Sequence, residues 1–142
     1  LSYKSYVQTK AICENTKFTI GDMHFSFTKA VHPVPSYVTT VRVHGKKFVY
    51  SGDTEFFDQF SEAAADADLF LCEASYLQKD VENGHPSHLS AYQAGRIAQK
   101  AKAKRLILTH HHPERDLNLT LNEAREVFNK AETAQPGSFF QL

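Results

Sequence analysis

Three short apolar runs in this sequence each end on a residue that packing alone does not require. Phe48-Val49-Tyr50-Ser51-Gly52 leads to Asp53, Leu69-Phe70-Leu71-Cys72 leads to Glu73, and Leu106-Ile107-Leu108-Thr109 leads to His110. In open α/β sheets the carboxyl ends of the strands form the edge where ligands bind. Two acids and an imidazole on neighbouring strands would meet there. Carboxylate oxygen and imidazole nitrogen are the donors that hydrolases use for zinc, manganese or iron(II). A carboxylate can also bridge two cations, which then share a water, lower its pKa and brace an in-line displacement at phosphorus. Each residue has a plainer use as well. Asp53 fits a turn or a helix N-cap, Glu73 a lysine pair, and His110 a hydrogen-bonded strand end. Their shared placement is what points to chemistry.

Seven further histidines need weighing. His111 and His112 lie in the loop before Pro113 and are expected to face solvent, with substrate contact as the alternative. His110 follows its strand directly and has the fixed backbone that a ligand needs. His88 precedes Ser90 by two residues, at the mouth of an expected helix. Free N–H groups and the positive end of the helix dipole favour phosphate there. A histidine so placed can hydrogen-bond a phosphoryl oxygen or protonate a leaving group; the plainer reading is a surface-loop residue. His85 shares that loop with weaker placement. His24, His32 and His44 lie in or beside a β meander and read as structural or exposed.

The elements that must position these groups follow from the apolar periodicity. Residues 17–51 read as β structure. Met23, Phe25 and Phe27 alternate on one face, as do Tyr37, Thr39, Val41 and Val43, and a turn at His44–Lys47 leads into Phe48–Ser51. This is an antiparallel meander with one buried face. Residues 1–16 read as a loop or extended lead-in. From residue 52 the period changes. Phe56, Phe60, Ala63 and Ala64 mark an amphipathic helix, and Asp68–Cys72 a short strand. Residues 79–87 read as a loop, and Ser90 with Gln93 as a capping box opening a helix to about Ala101. Arg105–Thr109 is a second buried strand. Thr120 with Glu123 forms another capping box, followed by a stripe of Ala124, Val127, Phe128 and Ala131. Phe139–Leu142 reads as a closing strand. The order is that of a layered α/β protein.

Composition limits the partners. The 142 residues carry 16 basic and 16 acidic side chains, so no charge excess advertises nucleic acid or a disordered tail. Cys13 and Cys72 fit neither a zinc motif nor a disulfide framework, and Cys72 reads as a buried thiol, which suits a reducing cytoplasm. No apolar stretch reaches the ~20 residues that span a bilayer. The chain begins at Leu1 and its one methionine is Met23, so a piece of a longer protein is expected.

Tyr50–Thr54 (YSGDT), Leu69–Tyr76 (LFLCEASY), Gly84–Ala98 (GHPSHLSAYQAGRIA) and Arg105–His110 (RLILTH), preceded by Ala30–Tyr37 (AVHPVPSY), resemble the later motifs of metallo-β-lactamase-fold hydrolases. The nearest branch is similar to RNase Z and its phosphodiesterase-like bacterial relatives. The resemblance runs from about residue 18 to the end. It implies that Asp53 bridges two metals, that His110 is a ligand of the second, and that His88 acts near the scissile phosphate with Glu73 orienting it. The loop reads His88-Leu89-Ser90 where the family has H-S-T, which puts its substrate contacts in question.

The family's main metal motif, H-x-H-x-D-H, is absent, as is the histidine between it and the Asp. Residues 1–142 therefore read as the C-terminal half of an αββα sandwich: one mostly antiparallel mixed sheet with outer helices. The implied cofactors are two divalent ions, zinc foremost and manganese or iron as alternatives, with an incomplete site in this chain. The implied activity is hydrolysis of a phosphodiester or RNA-like substrate by metal-bound hydroxide, with this chain alone inactive. A thioester or lactone hydrolase of the same fold and a metal-free binding or assembly domain are the rivals. The sheet face carrying Phe25, Phe27, Tyr37 and Val41 would pack on the missing half or on another copy of this chain, since monomers avoid large bare apolar patches.

Overall fold

The computed structural model describes residues 8–84 and 87–142. Its seven-stranded sheet runs in strict sequence order, β1 (Lys17–Ile20), β2 (Met23–Lys29), β3 (Tyr37–Val43), β4 (Lys46–Tyr50), β5 (Leu69–Glu73), β6 (Leu106–Thr109) and β7 (Glu132–Thr133). The first four strands form the expected antiparallel meander. The β3–β4 turn is made by His44 and Gly45, both at positive φ (47° and 75°), the turn geometry whose twist matches that of the flanking strands. From β4 onward every pairing is parallel. The sheet is thus half antiparallel and half parallel, and the parallel half aligns the carboxyl ends of β4, β5 and β6 along one edge.

Four helices fill the crossovers: α1 (Phe60–Ala63), α2 (Gln78–Glu82), α3 (Ala91–Lys100) and α4 (Leu117–Arg125). One face of the sheet, through Val38, Val49, Phe70, Cys72, Leu106 and Leu108, packs with Phe60 of α1, Leu89 just before α3, Ile97 and Ala98 of α3, and Ala124 of α4 into a single buried cluster. Helix α3 starts where the sequence places it. The Ser90 side chain accepts from Gln93 N–H, and the Gln93 side chain accepts from Ser90 N–H, so two helix-end donors are satisfied reciprocally.

Four expectations change. The helix after Asp53 shrinks to α1; Phe56 is exposed, while Phe60 and Ala64 reach the core. Residues 78–82 form α2 rather than loop. Helix α4 begins at Leu117, capped by Asp116, not at Thr120; Thr120 is buried inside it. Glu123 accepts from Gln78 N–H and Tyr92 N–H, satisfying the starts of α2 and α3 rather than its own. The last strand is Glu132–Thr133, and Phe139–Leu142 lies outside the sheet, with Phe139 in solvent.

The opposite face carries Phe25, Phe27, Tyr37 and Val41, in register with Phe48 and Tyr50 of β4. Phe18 of β1 stacks on Phe25 with ring centroids 4.8 Å apart. Phe27, Val41, Leu69 and Ile107 are buried at the centre of this face, while Phe18, Ile20 and Met23 are exposed at its rim. No helix among the described residues is long and apolar enough to cross a membrane.

Candidate functional site

The three strand-end residues do converge. The His110 Nδ1 atom lies 3.3 Å from Asp53 Oδ1 and 3.9 Å from Glu73 Oε2. Side-chain alternation places Glu73 on the same face as Leu69 and Leu71, so the cluster stands where the parallel edge meets the helix-free face.

Glu73 is the hub. It is fully buried, and its carboxylate accepts from Thr54 N–H, from Leu89 N–H at 3.3 Å and from the Ser75 hydroxyl at 3.1 Å. His88 Nδ1 lies 3.1 Å from both carboxylate oxygens. A carboxylate already taking two amide donors has only acceptor capacity to offer, so Nδ1 carries the proton and Nε2 is the working atom of His88. Among the described residues no lysine pairs with Glu73; its partners are amides, a hydroxyl and an imidazole. His88 is held on its other sides by rings: Tyr76 at 5.7 Å, His110 at 5.0 Å and His32 at 5.4 Å between centroids.

Asp53 caps no helix, since α1 begins seven residues later. Its turn depends on Gly52, whose φ is +60° and where an added Cβ would lie 2.8 Å from the Tyr37 carbonyl oxygen. The glycine lets the strand beside it come close and turns Asp53 over the sheet edge. His110 has the left-handed φ of 55°, unusual for a residue with a side chain. The Ser75 hydroxyl braces it, lying 2.8 Å from the His110 carbonyl oxygen and 3.2 Å from its Nδ1.

The donors fit a metal. Two ligands about 2.1 Å from a tetrahedral ion are themselves separated by about 3.4 Å, close to the 3.3 Å between Asp53 Oδ1 and His110 Nδ1. Their side chains are 41% and 44% exposed and remain reachable. Glu73, His88 and His110 also offer ligand atoms within 4.8 Å of one another. The Glu73 oxygens, however, are already taken up by four donors, which makes Glu73 a poor ligand and a good support. Asp53 and His110 are the better pair.

Among the other histidines, His111 departs from expectation. His111 is half-buried rather than solvent-facing; its Nε2 pairs with the Leu108 carbonyl oxygen at 3.1 Å, and burial holds its imidazole below the usual pKa. His112 is exposed, and His24 and His44 are exposed on the meander. His85 lies outside the described residues. Tyr50, at the end of β4, has its phenol pushed up by burial and then by the charges of Asp53 and Glu73. Ser75 and Thr54 are the residues that sequence reasoning passed over, and His32, read there as structural or exposed, packs on His88. Ser75 and Thr54 stand beside singled-out acids, and that adjacency was the available signal. The signal at His32 was its place in the Pro-flanked Ala30–Tyr37 segment.

A mixed sheet of seven strands with helices on one face matches a metallo-β-lactamase-fold domain. The family model described as the Beta-lactamase superfamily domain matches residues 2–111, and the chain belongs to that family. Among its relatives is the probable metallo-hydrolase YhfI of Bacillus subtilis, 34% identical over 131 residues, 91% of this chain and 52% of that protein. The crystal structure of YhfI superposes with a TM-score of 0.86 at 29% identity, covering 95% of this chain and 56% of that one. A ribonuclease Z of Picrophilus torridus is 40% identical over 88 residues, 60% of this chain and 28% of that enzyme. The chain thus spans about half of YhfI and under a third of this ribonuclease Z.

Proposed function

We propose that this chain is the C-terminal half of a metal-dependent hydrolase that cleaves phosphodiester bonds, and that alone it is inactive. The observation that carries the reading is the cluster of Asp53, Glu73, His88 and His110 on three adjacent parallel strand ends and the following helix mouth. Asp53 and His110 would hold a divalent ion, zinc foremost, which supplies positive charge at the phosphoryl oxygens and acidifies water. His88, with Nδ1–H fixed on Glu73, presents Nε2 to the leaving oxygen; as the imidazolium it would give its Nε2 proton there and return to the neutral Nδ1–H form. Glu73 fixes the tautomer and steadies the charged imidazole as the proton moves. Buried and fully hydrogen-bonded, it need not move to do so.

Two observations support a second half. Asp53 and His110 are too few ligands for a two-metal site, and the apolar face borders the cluster. A sheet packed on that face would cover the rim residues Phe18, Ile20 and Met23 and bring further ligands to the same edge. Another copy of this chain is the competing occupant.

The test uses the full-length protein, with a chromogenic phosphodiester and a chromogenic thioester, before and after chelation. Phosphodiester turnover that chelation abolishes and zinc or manganese restores is expected. Thioester turnover alone would instead support the other hydrolase chemistry. Absence of turnover and of metal binding would leave the metal-free assembly domain.

A further inference from the structure

We propose that His32 is a substrate-contacting residue, offering its Nε2 to the phosphoryl group beside the oxygen that His88 serves; this rests on the phosphodiester reading above. Three imidazoles stand in a row. His32 packs on His88 with centroids 5.4 Å apart and rings tilted 60°, and His88 packs on His110 at 5.0 Å and 70°.

The loop that carries His32 is built onto the Asp53 turn. Val31 N–H donates to Thr54 Oγ1 at 3.1 Å, and Glu55 N–H donates to the Val31 carbonyl at 2.7 Å. The base of the loop is closed by Ala30 N–H on the Ser36 carbonyl at 3.0 Å. Pro33 and Pro35 restrict the backbone between. The same Thr54 donates its own N–H to Glu73, so one residue ties together the His32 loop, the Asp53 turn and the buried carboxylate. A histidine wanted only for solubility needs no such anchoring.

The ring is anchored at one nitrogen as well. His32 Nδ1 lies 3.3 Å from the Val34 carbonyl oxygen and 3.4 Å from its amide nitrogen. Nε2 makes no hydrogen bond among the described residues. His88 has the same arrangement, with Nδ1 committed and Nε2 open. With Nδ1 of His32 accepting from the Val34 amide, its Nε2 carries the proton, and that donor beside the imidazolium form of His88 suits a group carrying several acceptor oxygens on one atom. A phosphoryl group is that; a thioester or lactone carbonyl offers a single oxygen.

The test compares His32→Ala and His32→Asn in the full-length protein. The expected result is a 10- to 100-fold fall in kcat/KM for the phosphodiester, mainly through KM, with metal content and Tm unchanged. Inorganic phosphate should move the histidine Cε1–H NMR signals of both His32 and His88, and His32→Ala should weaken phosphate binding at least five-fold. His32→Asn carries the test if the alanine variant does not fold. Kinetics and phosphate affinity within two-fold of the parent would overturn the proposal. So would a His88 signal that shifts in His32→Ala without phosphate while phosphate affinity stays the same, since His32 would then only support its neighbour. Asp53→Asn and His88→Ala separate the two levels. If they abolish turnover while His32→Ala leaves kcat/KM and phosphate affinity within two-fold of the parent, His32 alone is misassigned; if they too leave turnover intact, the reading of the whole site fails.

Discussion

Strand β5 has a carboxylate network at each end, and the two differ in the partners they recruit. At its amino end Asp68 accepts from Lys47 N–H at 2.8 Å and meets Lys104 Nζ at 2.7 Å and Lys46 Nζ at 3.7 Å. At its carboxyl end Glu73 meets two amides, a hydroxyl and an imidazole. Ammonium partners stay charged across the neutral range and leave Asp68 nothing further to do. An imidazole partner keeps a second nitrogen free and can gain or lose a proton near neutrality. One end of the strand is therefore fastened, and under the proposed function the other would move protons. Partner type, more than the presence of acids, distinguishes a structural carboxylate network from a chemical one.

The largest break in that contrast is expected at Asp53 and His110. Asp53→Asn or His110→Ala in the full-length protein should lower kcat/KM by about 10³-fold or more, roughly 4 kcal/mol of transition-state stabilisation. Bound metal, measured by elemental analysis, should fall with it. Both side chains are half-exposed, so thermal stability should scarcely change. Asp68→Asn should do the reverse, lowering stability and sparing turnover. Retention of metal and activity in Asp53→Asn would erase the distinction between the two ends.

Glu73 belongs to both categories and sharpens the comparison. Glu73→Ala would strand two amides and an imidazole in a buried space, at a cost of about 3–5 kcal/mol in urea unfolding. Glu73→Gln keeps the shape and loses less stability, but no longer steadies a charged His88, so activity should fall further than stability does. Gly52→Ala should cost about 1–3 kcal/mol, because the added methyl meets a backbone carbonyl at a positive φ. Its activity should drop as the Asp53 turn moves, with metal affinity as the readout.

The meander, the parallel strands and the α3 cap were legible because each rests on local pattern: alternation, short apolar runs, and Ser90 with Gln93. The convergence of Asp53, Glu73 and His110 was legible because parallel strands bring their ends together whatever the loops do. Helix ends set by tertiary contacts were not. The capping-box pattern at Thr120–Glu123 is real as a pattern, yet Glu123 caps α2 and α3 instead, and Asp116 starts the helix. His32 escaped for a similar reason. Its role depends on a hydrogen bond from Val31 to Thr54, 23 residues away, and no periodicity records such a contact.

The smallest effect lies at the fastened end, in acid. Lys104 and the Lys47 amide hold the Asp68 carboxyl at about 2, below its ordinary value of 3.8. A depressed carboxyl pKa means that the unfolded chain takes up the proton first as pH falls. The stabilisation from Asp68 is therefore complete above about pH 5 and is lost between about pH 4 and 2. Thermal melts of the parent and of Asp68→Asn should differ at pH 6 and converge by pH 2. Salt should narrow the difference at pH 6, since Lys46 and Lys104 are exposed and screened. Turnover measured at pH 6 should be equal in the two proteins. A loss of turnover in Asp68→Asn would mean that the two ends of β5 are coupled through the strand.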